Sequence, residues 1–436
     1  MSKQKSVYVC NECSFESAKW LGQCPRCLKW NTFIETLTNS SSKSKNSTKS
    51  FSTAEVKKLS DVSAKTTERV SSKIKELDRV LGGGFVPGQV ILLSGEPGIG
   101  KSTILLQTAN NISNEVIYVS GEESPEQIKL RAERLGIKGQ NMTMILDIDV
   151  DSIIQTLDGM TQNCGLVIID SIQTITTGDL LGTAGSAGQV RESALRLASF
   201  AKSHGIPMVI VGHVTKDGSI AGPKVLEHLV DTVLYIEGDE QHLFRLLRTT
   251  KNRFGPVSEV GIFQMDEKGL KEVPNPSDIF LEERLKSAPG SCVTVVMEGY
   301  RPILFEVQAL TSKTSFGYPK RTASGFNVNR LSVLVAVLEK RCGLKLSDQD
   351  VYVNVAGGMK IEEYAADLAV CLAIYSSLSG KPLPPKLAAF GEVGLSGEIR
   401  KVNYIENRVK EAKKLGFGTV VSPFEAKSVK DALKQL

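Results

Sequence analysis

The sequence has little of what a membrane, an oxidising compartment or a strongly charged partner would demand. No apolar run approaches a bilayer crossing: runs such as Gln89 to Ser94 and Leu166 to Ile169 stop after a few residues. Residues 1 to 35 carry charges and cysteines where a secretory leader needs an apolar stretch. A cytoplasmic chain is therefore expected. Charge of one sign is scarce too, a net +5 over 436 residues, which is compatible with nucleic acid and too weak to require it. Cysteine is sparse beyond the start. Four of the eight fall within the first 27 residues, while Cys164, Cys292, Cys342 and Cys371 sit in apolar surroundings and read as core. Solenoid repeats are absent as well.

What is present divides the chain. A length of 436 residues exceeds what one hydrophobic core organises, so two globular domains plus a small module are expected. From Leu37 to Thr53 the sequence runs through Ser, Thr, Lys and Asn, too polar to offset the entropy of ordering, and reads as a flexible linker. Between about Val70 and Pro274, strand-like runs at Val90–Ser94, Glu115–Ser120, Met142–Leu146, Leu166–Ile169, Met208–Val211 and Thr232–Ile236 alternate with amphipathic stretches, which predicts a largely parallel α/β sheet. Prolines around Val273 to Pro276 and Pro289-Gly290 mark a boundary. Beyond it a second α/β domain follows, with strands at Val293–Met297, Ile303–Val307 and Val351–Val355 and helices at Arg330 to Arg341 and Glu362 to Ser376.

Cys10-x2-Cys13 and Cys24-x2-Cys27 are two knuckles ten residues apart, four soft sulfur donors suited to tetrahedral zinc. Two disulfides are the alternative, but nothing else points to an oxidising compartment. So small a module has no fold without its metal, and four sulfurs leave no open coordination position. The zinc is then structural, and the module a docking or nucleic-acid contact.

Gly95-Glu96-Pro97-Gly98-Ile99-Gly100-Lys101-Ser102 satisfies G-x-x-x-x-G-K-[ST] between a predicted strand and a helix predicted over Thr103–Ile112. The loop wraps phosphates with backbone N–H groups, Thr103 continues the cradle, Lys101 reaches the β and γ oxygens of ATP, and the Ser102 hydroxyl ligates Mg²⁺. The apolar run Leu166 to Ile169 ends in Asp170, the form of a Walker B carboxylate. Hydrolysis also needs a carboxylate to orient or deprotonate water. Glu122 and Glu123 stand at the end of the strand Glu115–Ser120, and Glu122 is favoured; the bland reading is that the pair only opens the next helix at Ser124-Pro125.

The cysteine finger, the lead-in Ile74-Lys-Glu-Leu-Asp-Arg-Val-Leu-Gly-Gly-Gly84, the phosphate loop and Lys251-Asn-Arg-Phe-Gly255 together resemble the bacterial RadA (Sms) family of DNA repair proteins over nearly the whole chain. The resemblance implies a zinc ribbon (residues 1–36), the linker (37–53), a RecA-like ATPase domain (54–276) and a Lon-protease-like α/β domain (277–436). It also implies hexameric rings that migrate branched DNA, with single-stranded DNA and a RecA recombinase or replicative helicase as partners. Lys251 and Arg253 would then act at a neighbouring subunit's nucleotide, as arginine fingers do; the bland reading is a solvated basic turn. His213 would occupy the place of the γ-phosphate sensor, a glutamine in RecA itself. The loops Thr176–Gly188 and Lys216–Pro223 resemble the DNA-facing loops of that fold, with Lys216 and Lys224 as their cations, although composition alone says only mobile loop.

Lon-type peptidases pair a helix-start serine with a lysine from a later helix. Here Glu363-Tyr-Ala-Ala-Asp367 puts Ala365 at the serine position, and the lysine position falls at about Glu406, so an inactive scaffold is expected. Within it, Lys313, Lys320, Arg321 and Arg330 are interleaved with Phe316, Tyr318 and Phe326, a mix suited to nucleic acid or to an ordinary anchored loop. The basic helix Asn403 to Leu415 reads as a solvated face. Two other classes stay open on the residues alone: an ATP-dependent peptidase, which Ala365 disfavours, and a nucleotide-gated assembly protein that never moves DNA.

Overall fold

The computed structural model describes residues 5–10, 15–38, 68–213, 223–238, 244–282, 284–285, 287–315, 317–358 and 360–436. Cys13, Lys216, Phe316, most of the Lys216–Pro223 loop and nearly all of the polar linker lie outside these residues. The chain forms two compact units, residues 1–257 with 261–272, and residues 258–260 with 273–436.

Strands β1 (Lys5–Cys10), β2 (Glu16–Ser17) and β3 (Phe33–Thr38) make a small antiparallel sheet in the order β2-β1-β3. Its core is minimal: Cys10, Cys24 and Phe33, with Tyr8, Phe15, Leu21 and Cys27 packed around them.

The ATPase sheet begins after α1 (Lys75–Leu81), with β4 (Val90–Gly95) leading through the phosphate loop to α2 (Lys101–Asn111). It continues through β5 (Glu115–Ser120), α3 (Pro125–Arg134), β6 (Met142–Ile145), α4 (Val150–Asp158), β7 (Cys164–Asp170), α5 (Ala187–His204), β8 (Met208–His213) and β9 (Thr232–Glu237). Three further strands, β10 (Phe244–Asn252), β11 (Val260–Asp266) and β12 (Gly269–Glu272), complete nine in the order β12-β11-β10-β9-β4-β8-β7-β5-β6. The six strands from β4 to β9 are parallel, as their apolar runs predict. The antiparallel extension β10 to β12 was not among the expected strands.

Alternation along the central strands explains the two-sided core. Ile91 and Leu93 of β4 face one apolar cluster with Leu166 and Ile168 of β7, while Val90 and Leu92 face the other with Val167 and Ile169. A parallel sheet covered on both faces needs such unbroken apolar strands.

The second unit holds α6 (Pro276–Glu282), β13 (Ser291–Glu298), β14 (Arg301–Lys313), β15 (Arg321–Ser324), α7 (Val328–Cys342), β16 (Gln349–Val355), α8 (Asp367–Ser379), β17 (Leu387–Ala389), the two-stranded ribbon β18 (Glu392–Val393) and β19 (Ile399–Arg400), α9 (Ile405–Lys414), β20 (Thr419–Val421) and α10 (Val429–Lys434). The main sheet runs β15-β16-β14-β13-β17-β20. Helix α8 starts at Asp367 instead of Glu362, because Glu363 is extended and Tyr364–Ala366 form a separate 3-10 turn. No helix among the described residues is long and apolar enough to cross a membrane.

Candidate functional site

In a parallel sheet the carboxyl ends of the strands open onto one edge. Register pairs Gly95 of β4 with His213 of β8, and Ser120 of β5 with Asp170 of β7, so the phosphate loop, the Walker B carboxylate and the acidic pair converge there. They line a cavity of about 270 Å³. Helix α2 carries no side-chain cap at Gly100. Its first N–H groups are thus left for an anion, at the positive end of the helix dipole. Contact requires glycine at Gly95, where a Cβ would stand 2.6 Å from the Ile236 carbonyl oxygen, and backbone conformation favours it at Gly100, at φ 112°.

Lys101 is 4% exposed, and its Nζ donates to the carbonyls of Gly95 and Glu96, each at 2.9 Å. Burial lowers its pKa, against the pull of Asp170 and Glu122. Asp170, also buried, accepts a 2.5 Å hydrogen bond from the Tyr118 hydroxyl. That tyrosine titrates well above its ordinary range, first because it is buried and then because Asp170 adjoins it.

The two glutamates, indistinguishable by sequence, part company. Glu123 is engaged on both oxygens by Arg131, at 2.5 and 2.7 Å, on the helix that Ser124 caps with Gln127 and Pro125 opens. Glu122 accepts a short hydrogen bond from Ser171 and lies 3.5 Å from His213 Nε2. At that distance the imidazole nitrogen makes no hydrogen bond. His213 is nonetheless the largest influence holding the Glu122 carboxyl below its ordinary range, with Ser171 and Lys101 adding to it and burial opposing. Both glutamates line the cavity, with Glu123 paired to Arg131 of α3 and Glu122 beside His213 and Ser171. Ser171, Tyr118 and Arg131 are the residues that sequence reasoning passed over; only Ser171, adjacent to Asp170, had a local cue.

Lys251 and Arg253 lie elsewhere. Strand β10 is antiparallel, so Asn252 pairs with Thr232, and Thr232 with Ile91 near the start of β4. At about 3.3 Å per residue, the turn sits at the end of the sheet opposite its own phosphate loop, roughly 13 Å along the strand. Lys251 Nζ donates to the carbonyls of Glu227 and Val230 at 2.6 and 2.8 Å, and Arg253 reaches Asp231 at 3.3 Å. Burial, then the adjacent Arg253, lowers the Lys251 pKa.

The loop Thr176–Gly188 is better anchored than its composition suggests. The Gln189 amide holds the backbone of Thr177 and Leu180, and Arg196 binds Asp151 and Asp179. Of the other proposed DNA contacts, Lys224, Lys313 and Lys320 are exposed. Two are corrected. Arg321 spends its guanidinium on the carbonyls of Lys320, Leu346 and Gln349, and Arg330 is paired with the fully buried Asp367. Arg321 lies on β15 and Arg330 on α7, and among the described aromatics of this segment Phe326 is buried while Tyr318 is 88% exposed.

At the position matching a peptidase serine, Ala365 is fully buried. The residue that α9 directs here is Arg408, and Glu406, the expected counterpart, faces solvent. Arg408 is 0% exposed; it pairs with Glu363 and donates to the carbonyls of Val295 and Asn403. Beside it, Asp367 accepts from Arg330 and from the Val393 N–H, and burial raises its pKa against Arg330.

In the N-terminal ribbon the sulfurs of Cys10, Cys24 and Cys27 lie within 4.8 Å of one another, Cys10 and Cys27 at 3.6 Å. Two sulfurs on a tetrahedral zinc with 2.3 Å bonds stand about 3.8 Å apart, so the three fit that ion.

A glycine-rich loop on this edge of this sheet defines a P-loop ATPase of the RecA-like class. Family models agree: KaiC over residues 70–276, a rubredoxin metal-binding domain over 8–35, and subunit ChlI of Mg-chelatase over 327–426. The DNA repair protein RadA of Bacillus subtilis (strain 168) is 51% identical over 97% of this chain and 93% of its own, and that of Streptococcus pyogenes serotype M6 is 50% identical over 98% and 94%. A solved KaiC-like protein from Pyrococcus horikoshii OT3 is 22% identical, with a TM-score of 0.40, over 48% of this chain and 100% of its own. The chain belongs to the RadA family of DNA repair proteins.

Proposed function

We propose that the chain is a DNA-dependent ATPase that works as a ring in recombinational repair, moving single-stranded and branched DNA by branch migration. Glu122 carries the reading: an ionised carboxylate, steadied by Ser171, beside a histidine and within electrostatic reach of Lys101. It orients the attacking water and takes its proton. Lys101 exchanges its two carbonyl partners for the β and γ oxygens of ATP, and the free N–H groups of α2 bind the same phosphates. Ser102 and the Asp170 shell would hold magnesium, which neutralises phosphate charge when bound. His213, with an uncommitted Nε2, senses whether the γ-phosphate is present.

Lys251 and Arg253, distant from their own phosphate loop, serve the nucleotide of the next subunit. The domain divisions at residues 36, 53 and 276 are kept in this reading, and zinc closes the ribbon through Cys10, Cys13, Cys24 and Cys27. The second unit is a scaffold without peptidase activity, since Ala365 has no nucleophilic atom. Partners are a RecA recombinase or a replicative helicase, and the compartment is the cytoplasm.

Mixing tests the scheme. A Lys101→Ala chain and a Lys251→Ala/Arg253→Ala chain should each be nearly inactive, yet regain turnover together, because each mixed ring contains intact interfaces. Absence of recovery in rings shown by mass to be mixed would overturn the trans assignment. Branch migration of a forked substrate with ATP, and none with a non-hydrolysable analogue, tests the motor itself.

A further inference from the structure

The chain has two tryptophans, both in the N-terminal ribbon and both exposed, Trp20 at 53% and Trp30 at 68%. A large aromatic side chain normally loses most of its surface on folding, so leaving both in water costs hydrophobic stabilisation. They also converge. A Cβ built on Gly22 would stand 3.7 Å from Trp30 and 3.8 Å from Trp20, on the six-membered ring of each. Both indoles therefore lie against the same glycine.

The backbone keeps them there. The second cysteine knuckle is a tight hairpin, with Gln23 bridged to Trp30, the Asn31 N–H donating to the Gly22 carbonyl at 2.8 Å, and the Leu28 N–H donating to Cys24 at 2.8 Å. Cys24 and Cys27 lie on this hairpin, so the metal cluster and Trp30 belong to one turn, with Trp20 two residues before its start at Gly22. Around them Lys19, Arg26 and Lys29 are exposed, and no acidic residue occurs from Ser17 to Ile34. Flat π surfaces among cations match a polyanion with exposed bases. An apolar protein partner would have no use for three exposed cations.

We propose that Trp20 and Trp30 form a base-stacking platform for single-stranded DNA, with Lys19, Arg26 and Lys29 pairing its phosphates. This rests on the reading that DNA is the chain's ligand, and places a contact outside the ATPase domain. Since all tryptophan emission of the chain comes from this platform, binding is directly visible. The zinc-loaded full chain is titrated with an end-labelled (dT)20 strand, following label anisotropy and tryptophan emission together.

The expected result is quenching that saturates at the same concentration as the anisotropy. Trp20→Leu and Trp30→Leu should each weaken binding roughly 5- to 150-fold. Lys19→Ala should reduce the slope of log affinity against log salt by about one, a readout that a merely structural role would not move. Emission unchanged while anisotropy rises overturns the platform and leaves the DNA reading intact. No rise in anisotropy at all overturns both. If the leucine variants release zinc, Trp20→Phe and Trp30→Phe keep a ring in place, and stacking then predicts a smaller loss of affinity than metal release would give.

Discussion

The chain contains two clusters built from the same materials, carboxylates beside cations at the start of a helix, and they are arranged to opposite ends. In the nucleotide site, Glu122 has one firm partner and a histidine held beyond hydrogen-bonding distance, and Lys101 is parked on two backbone carbonyls. All three open onto a cavity. In the second unit, Arg408 and Glu363, and Arg330 and Asp367, hold each other with backbone support and leave no room. Chemistry requires groups whose partners can be exchanged for substrate, whereas a scaffold requires that none can. A buried charge pair is costly to assemble and more costly to break on one side, so the second cluster is suited to fixing a conformation.

Substitutions should separate the two clusters by what they change. Lys101→Ala is expected to lower phosphate release about 1000-fold or more, with unfolding unaltered, since its contacts are to carbonyls that water can satisfy. Retained turnover would remove the nucleotide site from the comparison. Glu122→Gln should cost about 100- to 1000-fold in kcat while nucleotide still binds, and Glu123→Gln much less, because it acts only by loosening Arg131. Equal effects would erase the distinction drawn between the glutamates.

Arg408→Ala should behave in the reverse way. The denaturant midpoint of the second unit should fall by the equivalent of about 3 kcal/mol, toward the low end for a broken buried pair because Glu363 keeps part of its surface in water. The smallest effect concerns pH. Glu122 has a depressed pKa in the fold, so its contribution to stability is complete above its ordinary value of 4.5 and fades as pH falls through the lower, folded value. His213→Ala removes the largest cause of that depression. The acid limb of the kcat profile should then move to higher pH, and a limb that stays put would show that His213 does not govern the carboxylate.

Legibility in the sequence followed the range of the interactions. The phosphate loop, the Asp170 strand end and five neighbouring strands were readable because each is a local pattern, and their bounds moved by only one or two residues. The antiparallel strands β10 to β12 were not, since their alternation is broken by charges and their pairing depends on β9 being in place. The pairs Arg408 with Glu363 and Arg330 with Asp367 join residues 45 and 37 positions apart, and no local signal announces them. That is why Arg330 read as a DNA contact and Glu406 as the lysine counterpart. The choice between Glu122 and Glu123 turned on Arg131, eight positions away, and on Ser171, 49 positions away.

The anchoring of the loop after Asp170 also sets a limit on stride. With Leu180 tethered by Gln189 and Ser186 at the start of α5, the span between them is the five residues 181–185, itself turned by the Ser186 N–H on the Thr183 carbonyl. Fully stretched, the chain from one tether to the other reaches about 20 Å. In the DNA motor proposed above, a strand carried on that span would advance by a few nucleotides per cycle, and longer travel would come from successive subunits firing in turn.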